Sequence, residues 1–129
     1  MKWQNIVLAG TLLAALAVAL GAFGAHALND LLIQSGRLDT YQTAVQYQMY
    51  HSIGLIFAGL ILSKYNLKLI NYASLFFFLG ILFFSIFLII LCLTNNSTFA
   101  IFAPVGGLSY IVGWVLMGVG IYKTINKQK

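Results

Sequence analysis

Long apolar stretches alternate with short polar segments along this chain. The stretches lie at residues 6–28, 45–62, 70–93 and 101–121. Each approaches or exceeds the roughly 20 residues that an α-helix needs to cross about 30 Å of hydrocarbon. The pattern therefore predicts an all-α membrane protein, in which one domain of 129 residues forms a bundle of four transmembrane helices.

The composition agrees with this interpretation. Hydrophobic residues make up 61% of the chain and charged residues 7%, against about 25% charged residues in soluble domains. Both acids, Asp30 and Asp39, fall between the first two stretches, so no carboxylate lies inside a stretch to hold a metal. Cys92 is the single cysteine and lies in the third stretch, so it cannot form a disulfide within the chain. We expect no metal and no cofactor.

The basic residues predict the orientation of the chain. With four crossings, both termini and the second loop share one face, and Arg37 lies on the opposite face. The basic residues of the first face are Lys2, Lys64, Lys68, Lys123, Lys127 and Lys129. Short loops rich in lysine stay inside the cell, so both termini should be cytoplasmic. The net charge of +5 then reflects the membrane surface, and we expect no nucleic-acid partner.

Small residues predict where the helices touch, because they let helix backbones approach closely inside a membrane. The glycines expected at helix contacts are Gly10, Gly21, Gly24, Gly54, Gly106, Gly113 and Gly120. In the fourth stretch these glycines recur every seven residues, and Tyr110 and Met117 complete the seam. Pro104 fits a helix start. The alanine-rich first stretch should pack against more than one neighbour. It is longer than a typical signal peptide core, so we interpret it as a retained span, with a cleaved signal as the alternative.

In the third stretch, Ser74, Ser85 and Cys92 fall within about 20° of one another on a helical wheel. This line should face the bundle, while the phenylalanines of the stretch face mainly lipid or packing gaps. Hydroxyl groups in spans commonly bond to the carbonyl four residues earlier. We expect this of both serines and keep a ligand-binding role for them as the weaker alternative.

The second stretch is the most polar, and the loop before it carries mixed residues. Residues 29–40 predict a short amphipathic turn on the outer membrane surface, broken at Gly36. Asp39 or Thr40 is the predicted N-cap of the following helix. A heptad-like stripe through residues 44, 47, 51, 54 and 58 predicts that His51 points into the bundle.

His26 lies near the end of the first stretch, at the same predicted leaflet as His51. We therefore predict a polar cluster of His26, Tyr47, Gln48 and His51. Histidine inside a span is costly and titrates near neutral pH, which makes a function the default hypothesis. We favour a structural role in which each neutral histidine is hydrogen-bonded. Proton or substrate passage, and metal or haem ligation, are the alternatives.

Several segments together resemble a known family. They are residues 21–28 (GAFGAHAL), 47–51 (YQMYH), 104–107 (PVGG) and 113–114 (GW). This combination is similar to the small bacterial membrane proteins called domain of unknown function 423, or uncharacterised protein family 0382. The third stretch departs from the pattern, with FSIFLI at residues 84–89 where such proteins tend to have FSGSLY. The resemblance implies a four-span inner-membrane protein with cytoplasmic termini and no established activity.

The sequence carries no catalytic signature, so we predict a non-enzymatic protein of the bacterial cytoplasmic membrane. An accessory, stabilising or assembly role would act through helix packing on lipid, on a membrane-protein partner or on another copy of the chain. The alternative is a small transporter or proton-conducting channel that uses the region of His26 and His51. A haem or quinone protein is the third possibility.

Overall fold

The computed structural model describes residues 1–127, and all of its regular structure is helical, as predicted. The elements are α1 Trp3–Ala25, α2 Asn29–Gln34, α3 Leu38–Tyr65, α4 Lys68–Gly80, a π-helical turn Ile81–Ile86, α5 Phe87–Thr94, a 3₁₀ segment Ser97–Phe102 and α6 Ala103–Lys127. The elements from α4 to α5 form one continuous helical rod, residues 68–94. Lys129, counted above among the cytoplasmic lysines, lies outside the described residues.

The long helices run antiparallel in chain order. Gly24 near the end of α1 faces the ring of Tyr41 near the start of α3, while Gly59 near the end of α3 faces Val7 near the start of α1. Along α6, Gly106 faces Phe84 and Gly120 faces Ile70, which sets α6 against the rod in the opposite direction. The bundle therefore consists of two antiparallel helix pairs.

Arg37 joins the loops at one end of the bundle. Its Nε donates to Oδ1 of Asn95 at 3.1 Å, and its Nη2 donates to Oγ of Ser97 at 3.3 Å. The connection between α2 and α3 therefore lies at the same end as the connection between α5 and α6. The connection between α3 and α4, with Lys64 and Lys68, lies at the other end.

Within residues 1–127, three segments are long and apolar enough to cross a membrane, namely residues 3–25, 68–94 and 97–126. The helix α3 has 28 residues, enough length to span, but its polar side chains keep it outside this group. Its fully buried residues include Gln48 and Ser52, so part of this polarity faces protein.

Several helix ends differ from the predicted spans: α3 continues past residue 62 to Tyr65, and α6 continues past residue 121 to Lys127. The helix α1 ends at Ala25 rather than at residue 28, and His26 is its C-cap, with its backbone N–H bonded to the carbonyls of Ala22 and Phe23. The predicted N-cap was wrong, because α3 begins at Leu38 and no described side chain caps it. Asp39 instead lies in the first turn, where its negative charge interacts favourably with the positive end of the helix dipole.

The turn predicted between the first two spans is the short helix α2. Leu32 is fully buried, whereas Leu31 and Ile33 are largely exposed, so this helix is amphipathic. Gly36 follows it with a φ of 66°, a left-handed conformation that glycine adopts without a steric penalty. The break predicted at this glycine is confirmed.

The apolar core lies between α3, the rod and α6. One cluster includes Leu55 of α3, Phe77 of α4 and Met117 of α6, and another gathers Leu32 and Tyr41 around Leu91 near the Arg37 end. The serine line of the third stretch is buried as predicted, with Ser74 and Ser85 at 0% exposure and Cys92 at 1%. The prediction that the phenylalanines of this stretch face mainly lipid or packing gaps is wrong for Phe77, which is fully buried in the core.

The helix α1 packs mainly along α3 and makes a much smaller contact with α2, so the expected second neighbour is only the short helix that follows it. Its alanines at positions 15, 19 and 22 remain exposed. Gly10 faces the backbone of Ser52 and the side chain of Ile56, and Gly21 faces Val45. The small residues of α1 therefore serve one close interface, and the rest of them cover its outer surface.

The contact of α6 with α4 depends on Gly113. A Cβ at this position would lie 2.7 Å from Cδ1 of Phe77, and Phe77 is fully buried. We expect Gly113→Leu to lower the melting temperature in detergent by at least about 5 °C, because overpacking a filled interface costs about 1–3 kcal/mol.

Gly118 provides the matched control on the same helix. A Cβ there meets nothing within 4 Å among the described residues, so Gly118→Leu should leave the melting temperature unchanged within about 2 °C. Equal destabilisation by the two leucines would mean that the seam does not determine the packing of α6.

Candidate functional site

Of the four residues in the predicted polar cluster, the structure brings Tyr47 and His51 together, with ring centroids 5.8 Å apart, and places His26 and Gln48 elsewhere. His26 is exposed at the end of α1. Gln48 turns towards α1, where its Nε2 donates to the carbonyl of Leu13 at 3.0 Å, and its Oε1 has no partner within residues 1–127. His51 faces the rod and α6, on which it contacts Phe77 and Tyr110. The structure does not form one cluster from these four side chains.

The separation of the two histidines follows from helix geometry. His26 follows Gly24, which packs on Tyr41. His51 lies ten residues beyond Tyr41 along α3, a rise of about 15 Å. The expectation that the two histidines approach each other was wrong, because α3 carries His51 away from the end of the bundle where α1 stops.

His51 has a defined hydrogen-bonding state. Its Nδ1 lies 2.7 Å from the carbonyl oxygen of Tyr47. Because a carbonyl only accepts, Nδ1 must carry the proton, and Nε2 of the neutral ring is left as an acceptor. The side chain is 5% exposed, which confirms that it points into the bundle.

The imidazole ring of His51 stacks on the phenol ring of Tyr110. The ring centroids are 3.4 Å apart and the planes differ by 12°. Tyr110 in turn packs over Gly80, where a Cβ would collide with its ring. A glycine in α4 thus allows a tyrosine of α6 to reach a histidine of α3.

Tyr110 also connects α6 to the π-helical turn. Its Oη lies 2.9 Å from Oγ of Ser85, in a buried hydrogen bond that either group can donate. Ser74 bonds to the carbonyl of Ile70 four residues earlier, as expected of both serines. The same expectation was wrong for Ser85, which lies where the backbone follows the wider π-helical pattern.

An aromatic cleft opens beside the stacked pair, with a volume of about 630 Å³. Its walls come from Tyr47, Tyr50 and His51 of α3, Phe84 of the π-helical turn, and Tyr110, Ile111 and Trp114 of α6. The rings of Tyr47 and Phe84 stack with centroids 5.0 Å apart. We refer to this space as the aromatic cleft.

The outer rim of the aromatic cleft is exposed. Tyr50 is 55% exposed, Ile111 62% and Trp114 45%. Tyr50 lies 12 residues after the start of α3 and 15 before its end, and Trp114 lies 11 residues after the start of α6 and 13 before its end. The opening is therefore at mid-height on the side of the bundle.

Nε2 of His51 is an acceptor at this cleft, whose other polar groups are the hydroxyls of Tyr47 and Tyr50 and the indole N–H of Trp114. Residues 1–127 form no hydrogen bond to Nε2. Among these residues, Gln48 Oε1 is the one fully buried side-chain nitrogen or oxygen that lacks a partner, so Nε2, which also lacks one, is not fully buried. Nε2 is therefore accessible from the cleft, which His51 lines. Within residues 1–127, no group of three or more His, Cys, Asp or Glu residues could hold a metal ion.

Sequence reasoning missed the partners of His51. It assigned Tyr110 to the packing seam of α6 and Ser85 to the inward line of the third stretch, and both assignments place these residues in the interior. The hydrogen bond between them spans 25 residues of sequence, and no local pattern pairs them. Trp114 was noted only as part of the family resemblance.

The helices and their apolar segments define a multi-pass helical membrane protein. A family model described as protein of unknown function (DUF423) matches residues 20–107, and the chain belongs to this family. The matched region contains Tyr47, His51 and Ser85 and ends before Tyr110 and Trp114. The family resemblance expected from the sequence is confirmed.

Relatives match over most of their length. The UPF0382 membrane protein of Staphylococcus saprophyticus is 38% identical over 117 residues, which cover 91% of this chain and 96% of the relative. The UPF0382 membrane protein YwdK of Bacillus subtilis is 36% identical over 118 residues, which cover 91% of this chain and 95% of the relative. No solved structure matches the chain.

The hydrogen bond between Ser85 and Tyr110 can be tested by a double-mutant cycle. We expect Ser85→Ala and Tyr110→Phe each to lower the free energy of unfolding by about 0.5–1.5 kcal/mol, the net value of one such bond. The double variant should lose little more than either single variant, because both remove the same interaction. Unfolding titrations in mixed detergent measure all three.

Ser74→Ala is the matched control, since Ser74 bonds within its own helix. Its effect should add to that of Tyr110→Phe within about 0.5 kcal/mol. Additive losses for Ser85→Ala and Tyr110→Phe would show that the two groups are not energetically coupled.

Proposed function

We propose that this chain is a non-enzymatic accessory protein of the bacterial cytoplasmic membrane, and that it binds a small membrane-dissolved molecule in the aromatic cleft. The observation that carries the proposal is the position of the opening at mid-height on the side of the bundle. A molecule dissolved in the bilayer reaches such an opening without crossing water.

The size and chemistry of the cleft support a small ligand. Its volume of about 630 Å³ falls within the roughly 300–1,000 Å³ of small-molecule sites, which combine apolar walls with a few polar groups. The buried polar group here is the imidazole of His51, whose Nε2 accepts, and the hydroxyls of Tyr47 and Tyr50 and the indole N–H of Trp114 belong to the more exposed walls. The alternative of a small transporter or proton-conducting channel in the region of His26 and His51 gains no support from this geometry, because the two histidines lie in different parts of the bundle.

We further propose that α3 is a fourth span and that both termini are cytoplasmic. The burial of Gln48 and Ser52 supports a crossing, because polar groups inside a membrane are tolerated where they face protein. The position of Lys64 and Lys68 at the end opposite to Arg37 supports the orientation by the positive-inside rule.

Cysteine labelling of intact cells tests this topology in a Cys92→Ala background. Gln34→Cys and Thr98→Cys, at exposed loop positions, should react with a membrane-impermeant maleimide from outside. Lys64→Cys should react only after permeabilisation. Since residue 34 precedes α3 and residue 64 lies in its last turn, equal accessibility of these two cysteines would show that α3 does not cross.

Photo-crosslinking tests the binding role. We expect a benzoylphenylalanine at Ile111, on the rim of the aromatic cleft, to capture a small molecule in growing cells, observed as a discrete mass increase of the intact protein. The control is the same replacement at Leu12 of α1, which is also 62% exposed and should capture only bulk phospholipid.

The outcomes of the crosslinking separate the possible occupants. A discrete small adduct at Ile111 alone supports the proposal. Identical phospholipid adducts at both positions contradict it, because the cleft then behaves as ordinary lipid-facing surface. A protein-sized adduct at Ile111 also contradicts it and identifies the cleft as a docking surface for a partner helix.

A further inference from the structure

We infer that the aromatic cleft selects an amphipathic molecule whose aromatic headgroup carries a hydroxyl, such as an alkyl phenol or a hydroquinone, with this hydroxyl donating to Nε2 of His51. The inference rests on the proposed binding function and adds the chemical class of the ligand. It follows from the polarity of one hydrogen bond, the shape of the walls and the position of the rim.

The polarity is fixed by the bond from His51 to Tyr47. Because Nδ1 donates to the Tyr47 carbonyl, a neutral His51 can only accept at Nε2. A ligand carbonyl or ether oxygen would place lone pairs against this acceptor and leave it unpaired, which is costly away from water. A hydroxyl supplies the missing proton. The site therefore discriminates between a phenol and its methyl ether.

The walls favour a flat ring. The stacked His51 and Tyr110 lie at the back of the cleft, the stacked Tyr47 and Phe84 lie on one side, and Trp114 approaches His51 with ring centroids 6.0 Å apart. Aromatic rings attract one another in offset-stacked and edge-to-face arrangements. A planar headgroup can make both kinds of contact here, whereas a branched aliphatic group makes neither.

The rim accounts for the hydrophobic tail. Ile111 and Tyr50 are exposed at mid-height, so a chain attached to the bound ring leaves sideways between α3 and α6. It then continues among lipid acyl chains. An alkyl tail thus stays in hydrocarbon while a hydroxyl of the headgroup reaches Nε2 of His51.

Trp114 provides the measurement. The chain has two tryptophans, so Trp3→Phe leaves Trp114, on the wall of the cleft, as the single tryptophan. The protein is reconstituted in nanodiscs of phosphatidylcholine and phosphatidylglycerol. The probes are a ring-brominated nonylphenol and its O-methyl ether, because bromine quenches tryptophan on contact. Both concentrations are expressed as mole fractions in the bilayer.

We expect saturable quenching by the phenol, with half-saturation at a mole fraction about tenfold lower than for the ether. A tenfold ratio corresponds to about 1.4 kcal/mol, within the cost of leaving a buried acceptor unpaired. In His51→Phe, which keeps a ring for stacking, this preference should fall below about twofold. In the control His26→Phe, at an exposed position of α1, it should remain tenfold.

The comparison of phenol with ether in the parent protein decides the inference even if a His51 variant fails to fold. Equal saturable quenching by the two probes would overturn the selection of a hydroxyl and leave small-molecule binding intact. Quenching that rises without saturation for both probes would overturn the aromatic ligand class, and the crosslinking at Ile111 would then judge the binding role separately. A preference unchanged in folded His51→Phe would also overturn the inference.

Discussion

The close approach of α6 to the rod is the constraint on which the rest of the structure depends. Gly106, Gly113 and Gly120 remove side chains from one face of α6, and the rod fills that space with Phe84, Phe77 and Ile70. At Gly80 the rod itself lacks a side chain, and the ring of Tyr110 from α6 occupies that space. This mutual fit brings Tyr110 to both His51 and Ser85. Without it, neither the stacked pair nor the wall of the cleft would exist.

Much of this fold could be predicted because bilayer physics leaves few alternatives. Apolar length predicted the long helices, and the spacing of small residues predicted the face of α6 that meets the rod. The π-helical turn was not predicted, since no proline or charged residue marks residues 81–86. The exposed alanines of α1 were misread for a related reason, because small residues can line an interface but do not require one.

The sequence predicted that individual residues of the site point inward, but not which of them contact one another. The stripe along α3 correctly directed His51 inward, and the seam along α6 did the same for Tyr110. Their stacking depends on the relative height of two helices and on the gap at Gly80, which are properties of the assembled bundle. His26 was grouped with His51 by an assumed common leaflet, but α1 ends at Ala25 and the structure separates the two residues.

The position of α3 between α1 and the other helices has a consequence for biogenesis. During synthesis α3 is the next long helix after α1, so the pair can close on Gly10, Gly24 and Gly59 while the remainder of the chain is still on the ribosome. His51 lies on the other side of α3, and its stacking partner Tyr110 is made about 60 residues later. The imidazole of His51 therefore lacks the ring of Tyr110 until α6 enters the membrane. The insertion of α6 also completes the walls of the cleft.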